Sequence, residues 1–307
     1  MEISNESVEI FTKFPHGNKE REKRLSGIKK DIENNKVPPL YKEGLEFTKN
    51  INLKNKIIID AGCGSGTKTI PLAFKTSAKK VIGIDGSKIA VENATYFKKK
   101  LKLKNIDFFN DRMENMKKIL IKNKLTGVDM IVNYQNLHHV SDWKGMLKIF
   151  HDTLKKNGIL IVNIVDPTSG FSGFMLKNKF CYYLSKNPAT RAKIGKFLFG
   201  FVENYKNKDE IKDLDFYVDR FGAFYHWIFP SQIIREMKKV GFDVCETFPH
   251  TILDDWLVAN KNSPRAKKII KYKKFFYPSK YLFSTLMRVR QYILGKDTRT
   301  YYALKKN

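Results

Sequence analysis

Ile57-Ile58-Ile59-Asp60-Ala61-Gly62-Cys63-Gly64-Ser65-Gly66-Thr67 is the stretch on which the reading of this chain turns. Three consecutive β-branched apolar residues read as a strand buried on both faces, and the strand ends on an acid. The glycines at 62, 64 and 66 let the backbone turn sharply and approach a ligand with no Cβ in the way. Residues 67–75 then open a helix whose first N–H groups face that ligand. Strand, glycine turn and helix together make a unit that cradles a nucleotide. The spacing excludes two common versions of that unit. A dinucleotide fingerprint has its third glycine where this chain has Thr67. A phosphate-binding loop ends in Gly-Lys-Ser/Thr, which Gly66-Thr67-Lys68 does not supply.

The pattern D-x-G-x-G-x-G formed by Asp60, Gly62, Gly64 and Gly66 instead resembles the first motif of the class I S-adenosylmethionine (SAM)-dependent methyltransferases. Four further segments follow in that family's order, about 25 residues apart as alternating strands and helices require. Val81-Ile82-Gly83-Ile84-Asp85 is similar to the second strand, and Ile106-Asp107-Phe108-Phe109-Asn110-Asp111-Arg112 to the third. Val128-Asp129-Met130-Ile131-Val132-Asn133-Tyr134 resembles the fourth. Leu154-Lys155-Lys156-Asn157-Gly158-Ile159-Leu160-Ile161-Val162 resembles the fifth together with the turn leading into it. The resemblance implies an α/β fold, a Rossmann-like seven-stranded, mostly parallel sheet with helices on both faces. An N-terminal helical cap and two helical insertions are expected in addition. It also implies SAM as cofactor. Gly62, Gly64 and Gly66 then lie under its amino-acid end, with Asp60 orienting that turn or the amino group. Asp85 accepts from the ribose hydroxyls, Asp111 and the backbone of Arg112 read the adenine edge, and Asn133 faces the methionine part and the acceptor.

Residues 1–50 read as the helical cap, with a charged helix near 19–34 and a second helix after Pro38-Pro39. Phe11, Phe14 and His16 either lie over the cofactor or pack the cap. Residues 51–165 are the cofactor half, and in its helix at 88–102 Ile89, Ala90, Ala94 and Phe97 are expected in the core. Residues 166–228 form an aromatic-rich insertion, too short to cross a membrane and apolar enough to roof a pocket or lie at an interface. Residues 229–307 complete the core with a helix at Pro230 or Ser231 and strands six and seven. They carry a second insertion at 251–298.

Composition adds bounds. The net charge is +27, but only ten of 58 basic residues are arginine, so half of that charge reads as compositional drift and half as an attraction to anions. From residue 261 to the end Asp297 is the only acid, and basic residues alternate with aromatics. That pattern suits an anionic membrane surface or single-stranded RNA, and equally a helical pair with a solvated basic face. Three cysteines without a CxxC pair indicate neither a metal site nor a disulfide framework, and a cytoplasmic location is expected.

For the chemistry, His226 and His139 are the candidate proton acceptors, since histidine titrates nearest neutral pH. His226 lies just before the helix at Pro230, where related enzymes line their acceptor pocket. Asp166 is a weaker third candidate. The resemblance is in style to the small-molecule branch, which includes quinone and natural-product methyltransferases. It therefore implies transfer of a methyl group to a small or lipophilic acceptor by in-line displacement. An RNA methyltransferase using the basic C-terminal region, and a membrane-peripheral binding protein with a vestigial SAM site, are the alternatives.

Overall fold

The computed structural model describes residues 8–10, 21–34, 52–165, 172–199, 221, 223, 225–248 and 298–306. Its centre is one sheet in which apolar residues alternate between the two faces. The strands are β1 (Ile57–Ala61), β2 (Lys80–Asp85), β3 (Ile106–Asn110), β4 (Val128–Tyr134), β5 (Leu154–Val165), β6 (Phe242–Phe248) and β7 (Thr298–Lys305). They run side by side in the order β3-β2-β1-β4-β5-β7-β6. The first five are mutually parallel, and β7 is antiparallel to both β5 and β6. This is the expected seven-stranded, mostly parallel sheet.

The helices are α1 (Arg21–Glu33), α2 (Thr69–Thr76), α3 (Lys88–Lys100), α4 (Met116–Lys122), α5 (Trp143–Thr153), α6 (Ser172–Leu184), α7 (Pro188–Phe199) and α8 (Pro230–Lys239). The strand period of two decides which of them covers which face. Ile59, Ile82 and Ile131 point to one side, where Leu120 of α4, Leu147 and Phe150 of α5, and Met237 of α8 meet them. Ile58, Val81 and Met130 point to the other, against Leu25 of α1, Leu72 of α2 and Phe97 of α3. All six strand residues are fully buried, and each such side chain contributes about 1.5–3 kcal/mol on leaving water.

Several boundaries differ from the sequence reading. The first helix of the core is regular from Thr69, two residues later than expected: Ile70 N–H bonds Gly66 O at 3.0 Å, but Pro71 has no N–H to bond Thr67, and the ladder resumes with Leu72 N–H to Lys68 O at 3.1 Å. In α3 the inward face is Val91, Ala94 and Phe97, with Asn93 also buried, whereas Ile89 and Ala90 are only half-buried on the flank. The stretch read as the turn into the fifth strand already pairs with β4 through Leu154. Strand six, by contrast, begins at Phe242 where the sequence places it, once Gly241 (φ 100°) has ended α8. The charged N-terminal helix forms as expected. Phe11, Phe14, His16, the helix after Pro38, Asp166 and the basic segment 251–297 lie outside the described residues.

Candidate active site

The carboxyl ends of β1, β2 and β4 meet where the strand order turns outward from β1, the place at which open α/β sheets bind ligands. The backbone after β1 is held there by four interactions. Gly62 and Cys63 both donate their N–H to Ile84 O of β2, at 2.8 and 3.1 Å. Gly64 N–H donates to Asp85 Oδ2 at 2.8 Å, and the other oxygen of Asp85 accepts Ser87 N–H at 2.9 Å. Asp60, fully buried, accepts the Thr69 hydroxyl at 2.6 Å and so pins the start of α2 to the end of β1.

All three glycines of the turn have positive φ (82°, 53° and 71°), a conformation that L side chains adopt at a cost. Their surroundings differ, and the difference locates the ligand side. A Cβ on Gly62 would run into the Asn136 amide, and one on Gly66 would come within 2.8 Å of the Phe108 ring. A Cβ on Gly64 would meet nothing within 4 Å among the described residues. The backbone at 62 and 66 is therefore packed against protein, and the backbone at 64 borders open space.

Two acids of the site titrate differently from ordinary carboxyls or sit in fixed turns. Burial raises the Asp85 carboxyl, and the N–H groups of Ser87 and Gly64 only partly offset it. Each of its oxygens has accepted one N–H, which leaves lone pairs for further donors. Asp111 follows β3, donates its N–H to Asp85 O at 3.1 Å, and receives Arg112 N–H and Asn115 Nδ2 at 2.8 Å each on one carboxylate oxygen. The Arg112 guanidinium reaches Glu114 at 2.9 Å. Cys63 is held far from thiolate by burial and by the charges of Asp85 and Asp60. Burial lowers the Lys68 ammonium, against the attraction of Asp60.

Asn133 is fully buried in β4. Its amide donates to Ala61 O at 2.9 Å, and its Oδ1 has no partner among the described residues. Asn136 stands out as a residue the sequence reading passed over. Its Nδ2 reaches Gly62 O at 3.0 Å and Tyr134 O at 2.6 Å, and Gly62 must be glycine to admit it. The signal available was an amide directly after a strand end, and Gln135 before it has φ 56°.

His139 and His226, expected as proton acceptors from distant parts of the chain, do come together. The turn Leu137–His139 leaves the glycine loop through Asn136. His226 N–H donates to His138 O at 2.8 Å. The His138 ring stacks on Tyr225 with centroids 5.1 Å apart, and His139 meets the same ring edge-on at 4.5 Å. Burial holds His138 well below the ordinary histidine value, with the neighbouring His139 and His226 adding to it. Burial also lowers His226. A neutral imidazole can accept a proton near neutral pH. The N-terminal cap reaches the same place: Arg24 donates to Ser65 at 3.3 Å, and Val8 occupies the space a Cβ on Gly86 would need.

Residues 52–191 match the profile of a family described as a methyltransferase domain. The chain is 36% identical over 116 residues to a ubiquinone biosynthesis O-methyltransferase of Pelagibacter ubique, across 38% of this chain and 45% of that protein. It is 29% identical over 161 residues to a carboxy-S-adenosyl-L-methionine synthase of Nautilia profundicola, across 50% of this chain and 64% of the relative. The chain thus spans about half of the length of these curated relatives. Among solved structures, magnesium protoporphyrin IX methyltransferase from Synechocystis superposes with a TM-score of 0.51 at 16% identity, covering 99% of this chain and all (100%) of the other. The plantazolicin methyltransferase BamL superposes with a TM-score of 0.51 at 12% identity, covering 99% and 97% of the two chains. At these identities the likeness is one of fold.

The Asp60–Thr69 bond predicts a measurable loss. Thr69→Val keeps the side-chain volume but leaves a buried carboxylate oxygen without its donor, which costs about 1–3 kcal/mol. Urea unfolding of the parent and the variant checks it; equal midpoints would show that Asp60 does not hold α2.

Proposed function

We propose that this chain, whose residues 52–191 match a family described as a methyltransferase domain, transfers a methyl group from SAM to a small or lipophilic acceptor. The observation that carries this reading is the Gly64–Asp85 bond beside the open space over Gly64. When bound, SAM supplies an electrophilic methyl group on a sulfonium, so the protein's work is positioning and, where the acceptor needs it, removal of a proton. Gly62, Gly64 and Gly66 hold the backbone turn under the amino-acid end. The remaining lone pairs of Asp85 take the ribose hydroxyls, which a carboxylate accepts in bidentate fashion. Asp111 and the Arg112 backbone are assigned the adenine edge, and Asn133, whose Oδ1 has no partner among the described residues, is assigned the methionine part. Asp60 acts through Thr69 and the turn, as a positioning residue.

His226 is assigned the proton from the acceptor, with His139, which meets the Tyr225 ring edge-on, as its alternate. Because burial lowers its pKa, His226 is neutral and competent throughout the neutral range, and protonation disables it only on the acid side of 6.5. The ubiquinone biosynthesis relative supports a lipophilic acceptor and transfer to oxygen, where a base is useful.

Two measurements test this. With methyl-labelled SAM and a whole-cell extract, label should appear in the organic-soluble or small-molecule fraction; label confined to RNA would transfer the assignment to the basic segment 251–298. His226→Ala should lower turnover at least tenfold with the affinity for S-adenosylhomocysteine (SAH) held, and should erase the acid limb of the parent's pH–rate profile. Unchanged turnover and an unchanged profile would remove His226 from the role.

A further inference from the structure

The helical hairpin α6–α7 presents a surface that the proposed reaction does not use. From residue 167 to residue 202 the chain contains no Asp or Glu, yet it carries Lys177, Lys179, Lys186, Arg191, Lys193 and Lys196. Large apolar side chains share the exposed face with the lysines. Leu176, Phe180, Tyr183 and Leu184 of α6 are 59%, 48%, 76% and 53% exposed, and Phe197 and Leu198 of α7 are 77% and 43% exposed. Spacing of three and four residues puts those of α6 on one side of the helix. The opposite side is packed. Asn178 is buried and donates to Ala223 O at 2.9 Å, Cys181 is buried, and Gly195 lies against the Phe221 ring. Arg191, 1% exposed, stacks 4.5 Å from the Tyr182 ring and donates to the carbonyls of Ser185 and Lys186 at 3.3 Å each, closing the end of α6.

A solvated helix face would carry acids among its lysines, and a buried one would carry no lysines. Apolar side chains flanked by an uninterrupted row of positive charge match one environment, the boundary between anionic headgroups and acyl chains. No helix among the described residues is long and apolar enough to cross a membrane, so the hairpin lies on that boundary and does not span it. We propose that the exposed face of α6–α7 docks on an anionic lipid bilayer.

The placement of the hairpin gives the docking a consequence. Lys179 Nζ lies 5.8 Å from the Tyr183 ring and 5.8 Å from the Trp227 ring, and Trp227 is the residue next to His226. The Asn178–Ala223 bond ties the same helix to the segment that carries Tyr225 and His226. The hairpin is thereby packed against the segment that carries the histidine cluster.

The test is co-sedimentation of the full chain with vesicles of phosphatidylcholine alone and of phosphatidylcholine mixed with phosphatidylglycerol. Binding should require phosphatidylglycerol and weaken as salt is raised. The double variant Tyr183→Ser/Phe197→Ser should lose at least about tenfold in vesicle partitioning, since each replaces an inserted aromatic ring by a hydroxyl. Ile121→Ser, at a 73% exposed apolar residue of α4 remote from the hairpin, should bind as the parent does. SAH binding by the double variant, measured by calorimetry, should stay at the parent value, which separates loss of docking from loss of fold. Full vesicle binding by the double variant would overturn the assignment, as would binding that ignores phosphatidylglycerol. So would absence of vesicle binding, including the case in which the face pairs two copies of the chain and the double variant turns a dimer into a monomer.

Discussion

The short bond from Gly64 N–H to the Asp85 carboxylate is the constraint on which the rest of the site depends. It joins the loop after β1 to the end of β2, two strands whose pairing already places Ala61 opposite Ile84. A left-handed glycine at 64 is needed to aim that N–H at the carboxylate, and its missing Cβ leaves the space above the turn open. The same carboxylate caps the next loop through Ser87 N–H and keeps lone pairs for a ligand. Burial makes this charge costly and raises its pKa, and the N–H groups of Ser87 and Gly64 offset part of that cost.

Around that bond the site is built from two kinds of element. The base is rigid: parallel strands covered on both faces, with Asp60, Asn133 and Asn136 tying β1, β4 and α2 together by hydrogen bonds from side chains to the turn. The wall is made from chain that arrives from far away in sequence. His226 hangs on the carbonyl of His138, and the Tyr225 ring stacks on His138 and meets His139 edge-on. Burial disfavours the charged form of both His138 and His226, and at His138 the neighbouring imidazoles add to it.

The strands were legible in the sequence because the segments of the parallel core, each a largely apolar run ending at an acid, a glycine or an amide, resemble those of a known family in their order along the chain. Asp60, Asp85 and Asp111 could be placed at strand ends on that basis, and the structure puts all three there. Less visible was everything set by contacts across the fold. The start of α2 depends on a hydrogen bond between residues nine apart, and the inward face of α3 depends on how the helix rolls against β3. Asn136 owes its importance to the absence of a side chain on Gly62, a relation between residues 74 apart. The pairing of His226 with His138 spans an insertion with no periodicity to announce it.

The direct measurement of the central claim is a calorimetric titration of SAH into the parent and into Asp85→Asn, with circular dichroism to confirm that both are folded. If Asp85 both aims Gly64 and receives the ribose, the parent binds stoichiometrically and the variant loses at least about a hundredfold, the loss of two charge-assisted hydrogen bonds at about 1.5–3 kcal/mol each. Equal affinity in a folded variant would contradict the account, and absence of binding by the parent would overturn the cofactor site altogether.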